Sequence, residues 1–375
     1  MLADCEEARK SIDIEQFIFE PDELGKRFFE VLKKKSKEGV RVRIICDAVG
    51  SYSFLNSQAE RELKAEGVEI KFFNPIKPWR IGNFSSWFLR DHRKLLIVDG
   101  EVGHTGGVGL EKRMENWRDT NVRMTGPVVS EMSSVFERMW LVSPERKFFR
   151  FKPTFSPGSE FSFLTNSPRF RGRYIYHDLL RNIRSAKHYL YITTPYFVPS
   201  IRVFSALTKA AKRGVDVRLL LPEASDVKTV DFAAGSYFIL ALNAGVKIYL
   251  YPHTQKVGDA NRRTNNVASR DNGTNQYHKN RGVGVYDNNR ILHTKTAVSD
   301  DVWGTVGSAN MDNQSLLLNF EGNIRSSNST FISELKAQFR EDISEIAPLT
   351  KEAWMGRSIF RKFLEIITWP IHGIL

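Results

Sequence analysis

Cysteine is almost missing from this chain of 375 residues, which holds only Cys5 and Cys46. Two cysteines make neither a disulfide framework nor a thiolate zinc site. Cys46 stands in the apolar run "VRIICDAVG", where a buried free thiol is expected. Long hydrophobic runs are missing too. No stretch of about 18 apolar residues occurs, so no segment reads as a bilayer-crossing helix. The opening "MLADCEEARKSIDIEQ" is acidic and polar and does not read as a signal peptide. Acidic residues are in deficit, 43 Asp and Glu against 55 Lys and Arg, for a net charge of +12. That surplus favours anionic partners, either nucleic acid or an acidic lipid surface. A solvated basic surface without a partner would give the same count. The 8 histidines form no cluster with acids or cysteines at ligand spacing, so no metal and no other cofactor is expected. His253 and His278 share one polar stretch without a supporting acid, and His104, His177, His188 and His372 read as surface or packing residues.

What remains is an ordinary globular composition, 41% hydrophobic and 26% charged, long enough for one large or two medium domains. The chain repeats itself. "ARKSIDIEQFIFEPD" (8–22) parallels "AKHYLYITTPYFVPS" (186–200), and "KEGVRVRIICD" (37–47) parallels "KRGVDVRLLLP" (212–222). "LKAEGVEIKFFNP" (63–75) parallels "LNAGVKIYLYP" (242–252). Each copy alternates strands with helices that end in Gly before a buried β-branched strand, which predicts an α/β fold with a central sheet in each copy. The offset between copies rises from 178 (245 − 67) to 201 (293 − 92), so extra sequence enters the second copy before its motif. This insertion, 253–283, is polar and predicts a long loop, either plain surface or a basic lid. "FKPTFSPGSE" (151–160) reads as the connector. The second copy opens with a strand, "FSFLTNSP" (161–168), that has no counterpart in the first. Phe151, Phe155, Phe161 and Phe163 read as core. The expected division is a first lobe at 1–150 without its opening strand, a second at 159–345, and a tail at 346–375. In the tail, Ile359, Phe360, Phe363, Leu364, Ile366 and Ile367 recur at helical spacing beside Arg357, Arg361 and Lys362. It reads either as a helix docked on the core or as an interfacial helix.

Both copies then carry His, one residue, Lys, four residues, Asp: "HRKLLIVD" (92–99) and "HTKTAVSD" (293–300). Residues i and i+2 of a strand face one side, so each His and its Lys point together. Imidazole supplies a nucleophile or a proton carrier near neutral pH, and the ammonium suits phosphate oxygens. Two copies facing each other would set His92, Lys94, His293 and Lys295 around one phosphate. The motif aspartates Asp99 and Asp300 complete the pattern, and their place at strand ends suggests that they hold a turn. Gly106 and Gly107 match Gly307 and Ser308 at 14 residues past each His (106 − 92, 307 − 293). Glycine there suits close approach of backbone to a phosphate, to which Ser308 and Asn310 could donate. An acid follows at similar distance in each copy: Asp119 lies 27 beyond His92 (119 − 92) and Glu321 lies 28 beyond His293 (321 − 293). This spacing pairs Asp119 with His92 and Glu321 with His293, each fixing a tautomer.

The duplicated motif, each copy followed by its Gly turn, resembles the phospholipase D superfamily. "WRDTNVRMTGPVV" (117–129) and "GSANMDNQSLLLNFEGN" (307–323) are similar to bacterial cardiolipin synthases. The resemblance covers residues 8 to 340 and implies two similar lobes, each a mixed sheet flanked by helices, packed about a pseudo-twofold axis. It implies phosphatidyl transfer through a phosphohistidine, with His92 as nucleophile and His293 as acid. The implied substrate is phosphatidylglycerol, two of which would give cardiolipin and glycerol. The expected setting is peripheral membrane association, at a bacterial inner membrane or the cytoplasmic face. Family membrane helices at the N-terminus are not in this sequence; either its start is truncated, or, if the start is genuine, bilayer contact is expected from the basic surface and the tail. Gly109 departs from the family pattern, which favours Asn there. Two rivals stand: a nuclease of the same superfamily acting on nucleic acid, and a binding module without activity. The intact His, Lys and acid positions argue against the second.

Overall fold

The computed structural model describes residues 1–76, 89–143, 159–168, 172–252, 255–256, 286–287, 291–358, 362 and 364–365. The first lobe opens with α1 (Leu2–Glu7) and holds one mixed sheet. Its parallel part is β1 (Ser11–Gln16), β2 (Arg41–Asp47) and β3 (Glu69–Phe73), joined by α2 (Glu23–Lys37) and α3 (Gln58–Ala65). Then β4 (Leu95–Val98), β5 (Val102–Gly106) and β6 (Asn121–Thr125) add antiparallel, giving the order β3-β2-β1-β4-β5-β6. After α4 (Pro127–Val142) the second lobe repeats the plan with β7 (Phe161–Asn166), α5 (Tyr174–Ser185), β8 (Tyr189–Thr193), β9 (Phe197–Val198), α6 (Ile201–Lys212), β10 (Asp216–Pro222), α7 (Lys228–Asn243) and β11 (Lys247–Tyr251). It continues through β12 (Gln255–Lys256), β13 (Tyr286–Asp287), β14 (Thr296–Ser299), β15 (Trp303–Gly307), β16 (Met311–Asp312), β17 (Glu321–Ser326), α8 (Ser329–Asp342) and α9 (Lys351–Met355). The larger sheet runs β11-β10-β8-β14-β15-β17-β7. Among the described residues, β7 is the strand without a counterpart in the first sheet. The short β12 and β13 pair with each other at the base of the insertion, whose remainder lies outside the described residues, as do 151–158 and most of the apolar residues of the tail.

Local chemistry explains the repeat. The helices before β2, β3, β10 and β11 all end on a glycine in the left-handed region: Gly39 (φ 86°), Gly67 (86°), Gly214 (93°) and Gly245 (91°). In each case the next amide returns to a carbonyl in the last turn, as Val40 N does to Lys35 O and Val215 N to Ala210 O. This end-cap turns the chain into the following buried strand. Asp22, Ser57 and Ser200 cap the helix starts by accepting from the amides of Gly25, Glu60 and Val203.

The motif aspartates belong to this scaffold rather than to the reacting groups. Asp99 (φ 55°) accepts from the amides of Arg9, Lys10 and Ser11, where β1 begins. Asp300 (φ 52°) does the same for Lys187, His188 and Tyr189, where β8 begins. Each lies at the far end of the strand that follows its histidine, so Asp99 and Asp300 latch strand starts, the turn-holding place that their position in the motif suggested.

The lobes share one core. Leu95, Ile97, Met124 and Phe136 of the first pack with Phe163, Val306, Phe320 and Ile324 of the second. Helix α4 lies in this seam, and Glu131 on it accepts from the amide of Phe163 at 2.7 Å. Phe163 is buried there and Phe161 packs against Phe331, in keeping with a core role. Cys5 and Cys46 are buried free thiols. Two backbone bridges cross between lobes, Asp91 with Phe320 and Arg118 with Leu292, both parallel. Their direction makes β4 run parallel to β17, and β17 runs parallel to β14 through β15. Both histidines therefore lie at one end of the molecule, the end where β1, β2, β3, β8, β10 and β11 finish.

Asp99→Ala should lower the unfolding free energy by about 1–3 kcal/mol, because three amides lose a charged acceptor and Ala resists a positive φ. Calorimetry would register this as a lower Tm, with Asp99→Asn recovering part of it. An unchanged Tm for Asp99→Ala would refute the latch.

Candidate functional site

His92 and His293 open their motifs one residue after a cross-lobe bridge. Asp91, before His92, is bridged to Phe320, before Glu321; Leu292, before His293, is bridged to Arg118, before Asp119. The His92 amide donates to Phe320 O at 2.9 Å and the His293 amide to Arg118 O at 2.8 Å. Each bridge thus delivers an acid of one lobe to an imidazole of the other. His92 Nδ1 lies 3.0 Å from Glu321 Oε1, and His293 Nδ1 lies 2.7 Å from Asp119 Oδ2. The pairing expected from spacing is therefore reversed: Asp119 serves His293 and Glu321 serves His92. With each Nδ1 engaged by a carboxylate, each Nε2 is left for the cavity.

The supports differ between the halves. Glu321 is fully buried and accepts from Ser308 Oγ at 2.5 Å and from Ser315 Oγ. Ser308, expected to donate to a phosphate, is committed to this acid and also accepts from the Gly322 amide. Gly107, its counterpart, leaves room for the other acid, since a Cβ there would lie 2.2 Å from Asp119 Oδ1. A Cβ on Gly106 would lie 2.3 Å from Thr120 O, so this glycine admits β6. Gly106 and Gly107 thus allow close packing of the segment that carries Asp119. Asn310, expected to donate to a phosphate, lines the cavity and is buried. Its counterpart Gly109 has Met114 Sδ where a Cβ would be, at 2.9 Å.

Sequence reasoning quoted "WRDT" without resolving its parts. Trp117 lies edge-on to His293 with centroids 5.1 Å apart, and Phe17 meets His92 likewise at 4.9 Å. Arg118 forks onto Asp342 of α8 at 2.8 and 2.7 Å, tying the first lobe to the second beside Asp119. Asp47 accepts from the Asp91 amide at 3.0 Å and from Arg90 at 3.2 Å, anchoring the segment into His92. Burial pushes the Asp47 carboxyl up to about 6. Of these, the motif order "WRD" before one acid and "NFE" before the other was the available signal; Asp47 and Ser315 carry none.

Lys94 Nζ donates to the His92 carbonyl at 3.0 Å, and Lys295 Nζ to the His293 carbonyl. Both ammonium groups are buried. Burial pulls Lys94 down to about 8 and Lys295 down to about 7, the second helped by the charge of Lys94, while Glu321 and Asp119 pull upward. Burial also lowers both imidazoles. His92, His293 and Lys94 line one cavity of about 170 Å³, with Phe17, Ile18, Met114, Tyr196 and Asn310 in its wall. Burial thus weakens the hold of both lysines on their protons, and an entering anion would oppose that. Among the described residues no group of His, Cys, Asp and Glu is placed to hold a metal.

A family model described as "Cardiolipin synthase, PLD-like domain" matches residues 1–140 and 179–343. The chain belongs to this family. It is an enzyme of the phospholipase D superfamily. A cardiolipin synthase of Clostridium perfringens (strain SM101 / Type A) is 32% identical over 98% of this chain and 72% of its own length. One from Listeria welshimeri is 31% identical over 100% of this chain and 72% of its own length. The crystal structure of phosphatidylserine synthase from Haemophilus influenzae Rd KW20 superposes with a TM-score of 0.69 at 12% identity, over 100% of this chain and 92% of that one, which is a likeness of fold.

The crossed pairing has a direct readout. Glu321→Gln should lower the pKa of His92 and leave His293 in place, and Asp119→Asn should do the opposite, in histidine-resolved NMR titrations. Shifts on the same-lobe ring instead would overturn it. The depressed lysines generate a second expectation. An anion raises their pKa toward the ordinary 10.4 or so, so inorganic phosphate should bind with proton uptake near pH 8 and more weakly as pH rises. Calorimetry in buffers of different ionisation heat measures this uptake; binding without protons would refute it.

Proposed function

We propose that this enzyme transfers phosphatidyl groups through a phosphohistidine, making cardiolipin and glycerol from two molecules of phosphatidylglycerol. The observation that carries this reading is the reciprocal pair of His–acid couples facing one cavity with a lysine beside each. The names of the similar proteins supply the substrate class. The two-lobe division at 1–150 and 159–345, with a tail at 346–375, belongs to the same proposal, as does a peripheral place at the cytoplasmic face of a bacterial inner membrane. Among the described residues no helix is long and apolar enough to cross a membrane.

In the first step His92 Nε2 attacks phosphorus, with Nδ1–H held by Glu321. The P–O bond to the glycerol headgroup breaks, and protonated His293 gives its Nε2 proton to the leaving oxygen. In the second step His293 takes a proton from the incoming hydroxyl of another phosphatidylglycerol. That oxygen bonds phosphorus as the P–N bond breaks, restoring both imidazoles. Asp119 stabilises the imidazolium of His293, and Lys94 and Lys295 offset the negative charge on the phosphoryl oxygens. Water in place of the alcohol would give phosphatidic acid by the same path. His293 takes its initial proton from solvent as the phosphodiester anion enters, because the anion's charge opposes the burial that lowers the imidazole.

Purified protein with labelled phosphatidylglycerol vesicles should yield cardiolipin and free glycerol on thin-layer chromatography, and His92→Ala should abolish both. His293→Ala should still form the phosphoenzyme from a substrate with an activated leaving group; the reverse pattern would exchange the two roles. Phosphatidic acid as the sole product would mean a hydrolase, and cleavage of oligonucleotides with lipid untouched would mean a nuclease.

A further inference from the structure

The parallel cross-lobe bridges set both histidines at the end where the parallel strands finish, and the loops at that end carry exposed apolar side chains. Tyr52, after β2, is 76% exposed, and Ile76, after β3, is 50% exposed. Ile201 is 85% exposed at the start of α6 after β8 and β9, and Val227 is 36% exposed at the start of α7 after β10. These four project from four separate loops in two lobes. The same end supplies the cavity wall: Phe17 and Ile18 follow β1, Met114 follows β5, and Tyr196 follows β8.

Charge accompanies the apolar groups. Ile201 is followed by Arg202 and Val227 by Lys228, both exposed in the first turn of their helices. Cations at helix N-termini oppose the macrodipole and cost a little stability. Their placement there suits anionic groups approaching the free amides of the same turns. Lys26 and Arg27 on the first turns of α2 add to the surplus, while Glu223 and Glu115 face the same end, so charge alone does not define it.

We propose that this end of the molecule docks on the surface of an anionic phospholipid bilayer, Tyr52, Ile76, Ile201 and Val227 entering the interface with Arg202 and Lys228 beside lipid phosphates. The inference rests on the lipid-substrate reading above and names the surface that reading needs. A phosphodiester in a bilayer lies at headgroup depth, so a cavity opening among interfacial loops meets it without extracting the lipid. Apolar side chains with flanking cations give the two components of reversible binding.

The test uses the full chain with two variants. Tyr52→Asp/Ile201→Asp alters the docking end. Val302→Asp alters the turn between β14 and β15, which is 64% exposed at the opposite end. Sedimentation with vesicles of phosphatidylglycerol and phosphatidylcholine should show wild type and Val302→Asp bound alike. The docking variant should bind about tenfold more weakly. Turnover of short-chain phosphatidylglycerol below its micelle concentration should be equal in all three proteins, which shows that the variant folds. Equal vesicle binding by all three, or no binding by wild type, overturns the proposal. So does a change of oligomeric state on gel filtration in the docking variant alone, which would make the end an interface between copies. If docking depends on this end but no phosphatidyl lipid turns over, the substrate reading fails and the surface stands.

Discussion

The site depends on one exchange: each lobe supplies the acid that orients the other lobe's imidazole. His92 answers to Glu321 and His293 to Asp119. Neither lobe alone pairs its motif histidine with the carboxylate that orients it, so the reacting geometry exists only once the lobes are docked. The exchange is built into the backbone, because the residues just before each histidine and each acid are hydrogen-bonded across the seam. The shared core around Phe136, Phe163 and Phe320 and the Arg118–Asp342 fork keep that seam closed. Apolar burial supplies the attraction and the directed polar contacts set the register.

That geometry puts ionisable groups where little water reaches them, and the environment answers group by group. Burying a charge without partners is very costly, so a buried ion is held by hydrogen bonds or gives up its charge. Glu321 is held by two serine hydroxyls as well as by His92. Lys94 and Lys295 respond the other way, their ammonium groups pulled down toward neutrality. An anion entering the cavity would favour the charged form of both lysines, so anion binding and protonation of the site are coupled. The same coupling explains how two nearly equivalent imidazoles can take opposite proton states once an anion lies between them.

Duplication is close in the scaffold and loose in the lining. Four helix ends share one glycine cap, and Asp99 and Asp300 make the same three-amide latch. Around the cavity the halves diverge. Gly107 clears space for Asp119 where Ser308 grips Glu321, and Met114 fills the place beside Gly109 that Asn310 occupies in the other half. The missing amide at position 109 is therefore replaced by a thioether, which makes one wall less polar than the other.

Read by itself, the sequence determined the repeat, the alternation of helix and strand, the β7 surplus of the second copy, and the identity of His92, Lys94, His293 and Lys295. These follow from short-range rules: spacing along a strand, glycine after a helix, turn residues at strand ends. It also brought Asp119 and Glu321 to notice, but joined each to the wrong histidine. Distances of 27 and 28 residues within a copy cannot say which lobe's carboxylate meets which ring, because the contact crosses a seam that no local pattern describes. Ser308 was misread for the same reason: a hydroxyl beside a glycine suits a phosphate or a buried acid equally until Glu321 is in place. Tertiary structure alone decided the crossing, the direction of the two sheets and the shared end at which both motifs lie, since each depends on how the two sheets pack across a shared core.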